Sequence, residues 1–343
     1  MSKQRNSNIE MLRVVLMTLI VIWHYIMHGL DMKSPALYQD EQWNNTLAIF
    51  SASFMSFPVD CFIFISGYFG ITLKKSKVIR FVIMIFTYSL ITLMIGYMVG
   101  FNTGLFTNIQ AFFPICNNRW WFFTAYFYLM LLSPFINCGI KMLDKETYKI
   151  LLVIMFLSFY GVIQWLFGTR FFDLQLFIFI YLLGRYIRLY PISIFNRHPY
   201  YLLLLCSVVI LALTMLSVST KSGFLLYRLW YYHNPLVLVL AISVFFIFYN
   251  SNFKSQYVRN FSGGVLATYL LTDSMYTQSW YNRLIVDNFH WSIWPIVAVL
   301  TIVFCALFEN IRLKVTNASL RKMKYIYANN VGKHKKNSDE SYI

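Results

Sequence analysis

The sequence predicts an all-α membrane protein: a polytopic transmembrane bundle of about ten helices with both termini in the cytoplasm. Hydrophobic residues make up 59% of the 343 residues and charged residues only 12%, whereas a soluble domain carries about 25% charged residues. Apolar runs recur from end to end of the chain, so a soluble fold would lack a polar surface. We expect one integral-membrane domain over residues 1–312 and a basic, partly disordered cytoplasmic tail over residues 313–343.

The apolar segments justify this bundle one by one, because a helix needs about 20 residues to cross about 30 Å of hydrocarbon. The first segment, Met11 to Met27, follows basic residues but precedes no small-residue cleavage site, so we expect a retained span and not a signal peptide. The ninth, Gly263 to Met275, is the weakest because it is short and carries an aspartate. The segments begin near Met11, Leu47, Ile79, Trp120, Tyr148, Leu174, Tyr200, Pro235, Gly263 and Trp291.

The distribution of basic residues predicts the orientation. Of the 29 Lys and Arg residues, 22 fall in the connections on the side of the N terminus and six on the opposite side. Cytoplasmic connections retain Lys and Arg, so both termini should be cytoplasmic. This topology accounts for the net charge of +16, and no basic stretch interleaved with aromatic residues points to nucleic acid.

Three ionisable side chains lie in the first predicted span. At about 100° per residue, Arg13, His24 and His28 share one helical face, with Arg13 about 16 Å from His24 along the axis. Ionisable groups inside a span cost about 2.5–3.5 kcal/mol and are candidates for function. The spacing leaves two interpretations open: a snorkelling arginine with hydrogen-bonded histidines, or a site in which an imidazole acts as a general base.

Two aspartates and five cysteines complete the candidates for chemistry. Asp60 lies within the second predicted span, either as a buried acid bonded to a neighbouring helix or as a partner of a histidine. Asp273 borders the outer surface. The cysteines are scattered without a CxxC pair, so we expect neither a disulfide framework nor a metal site.

Four segments, in order along the chain, resemble the acyltransferase 3 family, membrane proteins that O-acetylate surface polysaccharides and related glycans. Asn8-Ile9-Glu10-Met11-Leu12-Arg13, followed after ten residues by His24, resembles the family's opening Arg and His signature, and His28-Gly29 is similar to versions in capsule and exopolysaccharide modifiers. Pro58 to Tyr68 resembles the family's apolar stretch that ends in Ser-Gly-Tyr, and Trp120 to Phe135 resembles its segment from Trp-Phe to Ser-Pro. Tyr181 to Arg188 resembles a segment from the middle of such proteins. One position departs: Thr272 stands where many members have histidine.

The resemblance implies transfer of an acetyl group from acetyl-CoA, a co-substrate, to a hydroxyl of a surface polysaccharide or lipid-linked glycan in a bacterial cell membrane. It implies His24 as the general base, oriented by Asp60 or Asp273, with no permanently bound cofactor. Four arginines are candidates for the phosphates of the donor: Arg13, Arg80, Arg185 and Arg188. Five residues are candidates for contacts with the acceptor: His28, Arg119, Trp120, Trp121 and Asp273. Arg119, Trp120 and Trp121 equally fit an aromatic belt at the membrane surface.

Partners expected with this activity are the lipid bilayer, the acceptor glycan, a polysaccharide synthase or export complex, and a second copy of the chain. Two other functions stay open at this point. A polysaccharide or lipid exporter, or flippase, would use the intramembrane polar residues to line a path without acyl transfer. An inert partner of a synthase is favoured only by the Thr272 departure.

Overall fold

The computed structural model describes residues 6–30, 43–101, 104–160, 173–222, 229 and 233–339. Within these ranges every regular element is helical. The α-helices are α1 (Ser7–His24), α2 (Trp43–Phe54), α3 (Pro58–Phe69), α4 (Lys75–Met98), α5 (Leu105–Gln110), α6 (Trp121–Met142), α7 (Lys145–Tyr160), α8 (Asp173–Leu189), α9 (Ser193–Arg197), α10 (Pro199–Ser219), α11 (Pro235–Tyr249), α12 (Gln256–Phe261), α13 (Val265–Thr272), α14 (Gln278–Asn288) and α15 (Trp294–Asp339).

Several of the described helices are long enough to span a membrane, as the composition predicts. Six helical segments are long and apolar enough to cross a bilayer, and α11 is apolar but has only 15 residues. The spans expected near Tyr148 and Leu174 correspond to α7 and α8, which have 16 and 17 residues. Residues 161–172 between these two helices lie outside the described ranges. Ten spans and cytoplasmic termini therefore stay predictions. The six are Ser7–Gly29, Thr46–Phe69, Lys75–Met98, Trp121–Met142, Pro199–Ser219 and Trp291–Ala318.

Local sequence explains where several helices begin and break. The Asn6 side chain accepts a hydrogen bond from the Asn8 backbone N–H at 3.1 Å and so caps the start of α1. The second predicted span is divided into α2 and α3, and Pro58, which lacks an N–H, occupies the first turn of α3. At the other end of the chain, α15 continues through the predicted boundary at residues 312–313 as far as Asp339.

Helix α1 is the central element of the bundle. Its first half, including Leu12 and Leu16, packs in a hydrophobic cluster formed largely by α3, α8 and α11. Its second half, including Val21, and Tyr25 directly after it pack in a second cluster with residues of α4, α6, α13 and α15. Helices α4 and α10 instead expose large apolar side chains such as Met94 and Leu204, as expected for faces that contact lipid. The polar side chains of Asn8, Glu10 and His24 on α1 are thus buried within the protein.

The two ends of the bundle differ in chemistry. At one end, the Asn8 side chain of α1 donates to the Ser251 carbonyl, and Arg188 of α8 donates to the hydroxyls of Tyr68 and Tyr249, at 3.2 and 3.1 Å. The start of α1 and the last turns of α3, α8 and α11 therefore meet there, and we call this the basic end. At the opposite end, which we call the site end, Trp294 at the start of α15 packs on Tyr25, with ring centroids 5.8 Å apart.

Candidate functional site

Helix α1 changes geometry where its two histidines lie. His24 is the last residue of the α-helix, and the chain continues as a π-helical turn over Tyr25–Gly29 that contains His28. The two imidazole centroids are 5.5 Å apart, so both rings reach the same side of the helix. Single π-helical turns are uncommon and are frequently found at functional sites. The predicted stripe of one cation and two imidazoles on α1 ends in this pair.

A carboxylate from the other end of the sequence faces both imidazoles. Asp273 directly follows α13, and its Oδ1 lies 3.7 Å from His24 Nε2 and 3.8 Å from His28 Nε2. His24 is buried, and only 13% of the side chains of His28 and Asp273 is exposed. Of the two carboxylates considered from the sequence, Asp273 is therefore the one beside His24. A carboxylate at this distance stabilises positive charge that develops on an imidazole as it accepts a proton.

Gln278, in the first turn of α14, joins this group. Its Nε2 lies 2.7 Å from Asp273 Oδ1 and 2.7 Å from His28 Nε2. With the amide in this orientation its nitrogen donates to both, which corresponds to the His28 tautomer that carries its proton on Nδ1. Gln278 therefore contacts both His28 and the carboxylate that lies beside His24.

Aromatic rings enclose the two histidines. The Trp23 ring meets His24 and His28 edge to face, with centroids 5.7 and 6.1 Å away. Tyr269 of α13 lies 6.1 Å from His24 by centroid and stacks on Phe123 of α6 at 5.6 Å. These apolar walls limit water around the imidazoles, and electrostatic interactions are stronger where water is excluded.

Arg119 lies beside the loop that carries Asp273. Its guanidinium carbon is 4.0 Å from the ring centroid of Tyr276, and no hydrogen bond from its buried Nε and Nη2 is present within the described residues. Burial lowers the pKa of this guanidinium from its ordinary value. Trp120 is only 1% exposed, so a role in stacking on a sugar does not fit its position. Trp121 packs between Phe122 and Phe177, each 6.0 Å away by centroid.

Asp60 is placed differently from Asp273. It lies in the first turn of α3 and is completely buried, and its two oxygens accept no hydrogen bond from any described residue. No ion pair within the described ranges joins it to His24 or to another cation. A carboxyl group that is buried without hydrogen bonds reduces stability.

The arginines expected to bind the donor lie toward the basic end, away from the imidazoles. Arg13 pairs with Glu10 at 2.6 Å, and 34% of its side chain is exposed. Arg188 binds the two tyrosine hydroxyls described above. Arg185 lies near the turn after α3, since a Cβ on Gly70 would be 3.5 Å from its Nη1. Arg80 is exposed on the second turn of α4. The structure thus brings His24, His28 and Asp273 together, and it shows no direct contact among the four arginines within the described residues.

The sequence analysis did not identify several polar residues that contact the candidate residues or form buried ion pairs in the structure. Gln278 contacts His28 across 250 positions and carries no local signal. The Glu10 partner of Arg13 was detectable from its i,i+3 spacing. The same spacing marks a buried ion pair in α15, Glu309 with Arg312, whose closest atoms are 2.6 Å apart. The Tyr88 hydroxyl donates to Glu309 at 3.3 Å and ties this pair to α4.

The Thr272 departure has a simple structural description. Thr272 is completely buried, and its hydroxyl donates to the Thr268 carbonyl within α13 at 2.9 Å. It therefore contributes no proton acceptor in place of an imidazole. The second imidazole of this site comes instead from His28, in the π-helical turn after α1, which faces Asp273, the residue after Thr272.

The fold and the site define a multi-pass membrane protein with a buried imidazole–carboxylate centre on its first helix. A family model described as an acyltransferase domain, that of the acyltransferase 3 family, matches residues 6–310, which include every residue of this centre. The chain therefore belongs to this family of membrane acyltransferases, and the resemblance of its motifs is confirmed. No curated protein matched the chain, and no solved structure matched it.

Proposed function

We propose that this membrane acyltransferase moves an acetyl group from cytoplasmic acetyl-CoA to a hydroxyl of a surface polysaccharide or lipid-linked glycan in a bacterial cell membrane. The observation that carries the proposal is the buried His24 with Asp273 Oδ1 at 3.7 Å from its Nε2. An imidazole beside a carboxylate in a water-poor site is suited to taking a proton from a hydroxyl. Family membership supports the acyl transfer itself.

His24 acts as the general base in this proposal. Its imidazole takes the proton of the acceptor hydroxyl while the hydroxyl oxygen attacks the thioester carbon. The tetrahedral intermediate then collapses, the carbon–sulfur bond breaks, and the coenzyme A thiolate takes the proton from the imidazolium. Asp273 stabilises the imidazolium between these steps, and Gln278 holds the Asp273 carboxylate at 2.7 Å.

The donor is proposed to enter at the basic end. Coenzyme A is strongly anionic, and arginine is the side chain best suited to bidentate contacts with phosphate. Arg13, Arg80, Arg185 and Arg188 are the candidates for these contacts. Seventeen residues separate Ser7 from His24, which is about 26 Å at 1.5 Å per residue. The acetylated arm of the donor must therefore extend along α1 into the bundle.

The acceptor is proposed to approach from the site end. Arg119 is the candidate for contacts with it, because its Nε and Nη2 hydrogens have no acceptor among the described residues and it packs on the same loop as Asp273. His28, whose Nε2 contacts the Gln278 side chain, lines the site next to His24.

The test is the acetyl content of surface polysaccharide in cells that lack the protein. They are complemented with the native chain, with His24→Ala, with Asp273→Asn, or with His198→Ala, which changes an exposed histidine at the start of α10 as a matched control. Membrane levels are equalised by immunoblot. We expect acetylation with the native chain and the control, and a loss of about 10²–10⁴-fold in initial rate for His24→Ala, the usual contribution of a general base.

Two results would count against the proposal. Full acetylation with His24→Ala would make this histidine structural. Unchanged acetylation in every strain, together with a fall in the amount of surface glycan when the protein is absent, would favour an exporter. In vitro transfer of radiolabelled acetyl from acetyl-CoA to membranes of the deletion strain identifies the donor directly.

A further inference from the structure

The three residues at the centre of the site also form a ligand set for a metal ion. His24 and His28 each offer a ring nitrogen and Asp273 offers a carboxylate oxygen, and these three atoms lie within 4.8 Å of one another. The scattered cysteines predict no metal site, and the two histidines of this ligand set are some 245 positions from the aspartate in the sequence. Two imidazoles with one carboxylate are a ligand set that zinc uses in catalytic sites.

The distances are close to those of a bound ion. Zinc bonds of about 2.0–2.2 Å in tetrahedral geometry place ligand atoms about 3.3–3.5 Å apart. The two nitrogen–oxygen separations, 3.7 and 3.8 Å, exceed this by only a few tenths of an ångström. All three ligand atoms lie within 4.8 Å of one another, so side-chain rotations that bring the two imidazole nitrogens closer together complete a site for one ion.

The chemical state of His28 is also the one that a metal requires. With the Gln278 amide donating to it, His28 Nε2 is an acceptor and the proton is on Nδ1, and the same Nε2 lies 3.8 Å from Asp273 Oδ1. An ion that binds Nε2 needs this tautomer. When the ion binds, it replaces the Gln278 amide as the partner of both His28 and Asp273, and the Gln278 side chain rotates away from the site.

From this geometry we infer that His24, His28 and Asp273 form a zinc-binding site whose occupation inhibits the enzyme. Binding uses the Nε2 lone pair of His24, the lone pair that accepts the acceptor's proton. Zinc and acyl transfer therefore exclude each other at one imidazole. The inhibition rests on the proposed function, whereas the binding itself does not.

The test measures binding to the full-length protein, purified with an affinity tag that contains no histidine, stripped with a chelator and placed in nanodiscs. Zinc binding is followed by competition with a chromophoric chelator, and the visible absorption of Co²⁺ reports the geometry of the site. The native chain is compared with His28→Gln, Asp273→Asn and a double control, His198→Ala with His290→Ala, which removes two exposed histidines. Thermal unfolding shows whether each variant is folded.

We expect one zinc ion per native chain and the same affinity in the double control. His28→Gln and Asp273→Asn should each bind at least about tenfold more weakly, since even partners of metal ligands contribute about 10–100-fold to affinity. Micromolar Zn²⁺ should stop acetyl transfer by the native chain, and a chelator should restore it. Binding that is absent from the native chain, or equal in all folded variants, overturns the site. Zinc binding at these residues in a chain that transfers no acetyl group would refute the proposed function alone.

Discussion

A single methyl group at Gly264 should disturb both the bundle and the site. Gly264 ends the 3₁₀ turn that leads into α13, and it lies against the backbone of Ala306 in α15. A Cβ at this position would be 2.6 Å from Ala306 Cα and 2.7 Å from Ala306 Cβ, whereas ordinary contacts begin at 3.4 Å. The backbone N of Ala306 would be closer still, so helix α15 must move away by at least 0.8 Å, the difference between 3.4 and 2.6 Å.

The size of the effect follows from this displacement. Overfilling a close-packed contact costs about 1–3 kcal/mol, so we expect Gly264→Ala to lower the free energy of unfolding by that amount. Asp273, which we propose as the partner of His24, directly follows α13, and a displacement near 1 Å in a catalytic group costs about 100-fold in rate. We therefore also expect slower acetyl transfer by the fraction of Gly264→Ala protein that stays folded.

The neighbouring Gly263 provides the matched control. It is exposed, and a Cβ there meets nothing within 4 Å, so Gly263→Ala should leave stability unchanged or raise it by up to about 1 kcal/mol. The assay is thermal unfolding of both purified variants in the same detergent, followed by intrinsic fluorescence. Equal midpoints for the two variants would refute the close approach of α13 and α15. A destabilised Gly264→Ala with a normal transfer rate would refute the link between this contact and Asp273.

Three further predictions concern charged groups outside the imidazole centre. Asp60→Asn should unfold at the native midpoint or above it and keep most acetyl transfer, since the buried carboxyl has no hydrogen bond from a described residue; a loss comparable with that of Asp273→Asn would return Asp60 to the mechanism. Arg312→Ala should lower the free energy of unfolding in detergent by about 3–5 kcal/mol, because it leaves Glu309 buried without its cation. The double variant Glu309→Gln with Arg312→Met should recover most of this stability. Equal stability of the single and double variants would contradict the prediction. The Asp144 carboxylate accepts a hydrogen bond from the Thr147 N–H at 3.0 Å, and hydrogen bonds from Thr147 lower the pKa of Asp144 below its ordinary value. The carboxylate therefore stabilises the folded state above the ordinary pKa, and this stabilisation is lost as the pH falls through the lowered pKa. Asp144→Ala should reduce the unfolding midpoint at neutral pH and leave it unchanged in strong acid.

Local periodicity was enough to predict half of the site. Arg13, His24 and His28 lie on one helix, where about 100° per residue fixes which side chains share a face. The structure keeps the imidazoles together, 5.5 Å apart by centroid, even though the helix changes to a π-helical turn at Tyr25. The choice between Asp60 and Asp273 was beyond the sequence, because both are single acidic residues near apolar segments with no spacing that relates them to α1.

The sequence by itself determined the class of protein, since the free energy of moving apolar residues into lipid is a sum over residues and needs no tertiary contact. It also placed an imidazole on the first span. Only the tertiary structure decided that Asp273 and Gln278 meet that imidazole, across 249 positions between His24 and Asp273. That meeting depends on how helices pack, through contacts such as Gly264 against Ala306 and Gly29 against Asn282 of α14. Close approach of this kind is a property of two surfaces together and leaves no periodic signal in either segment.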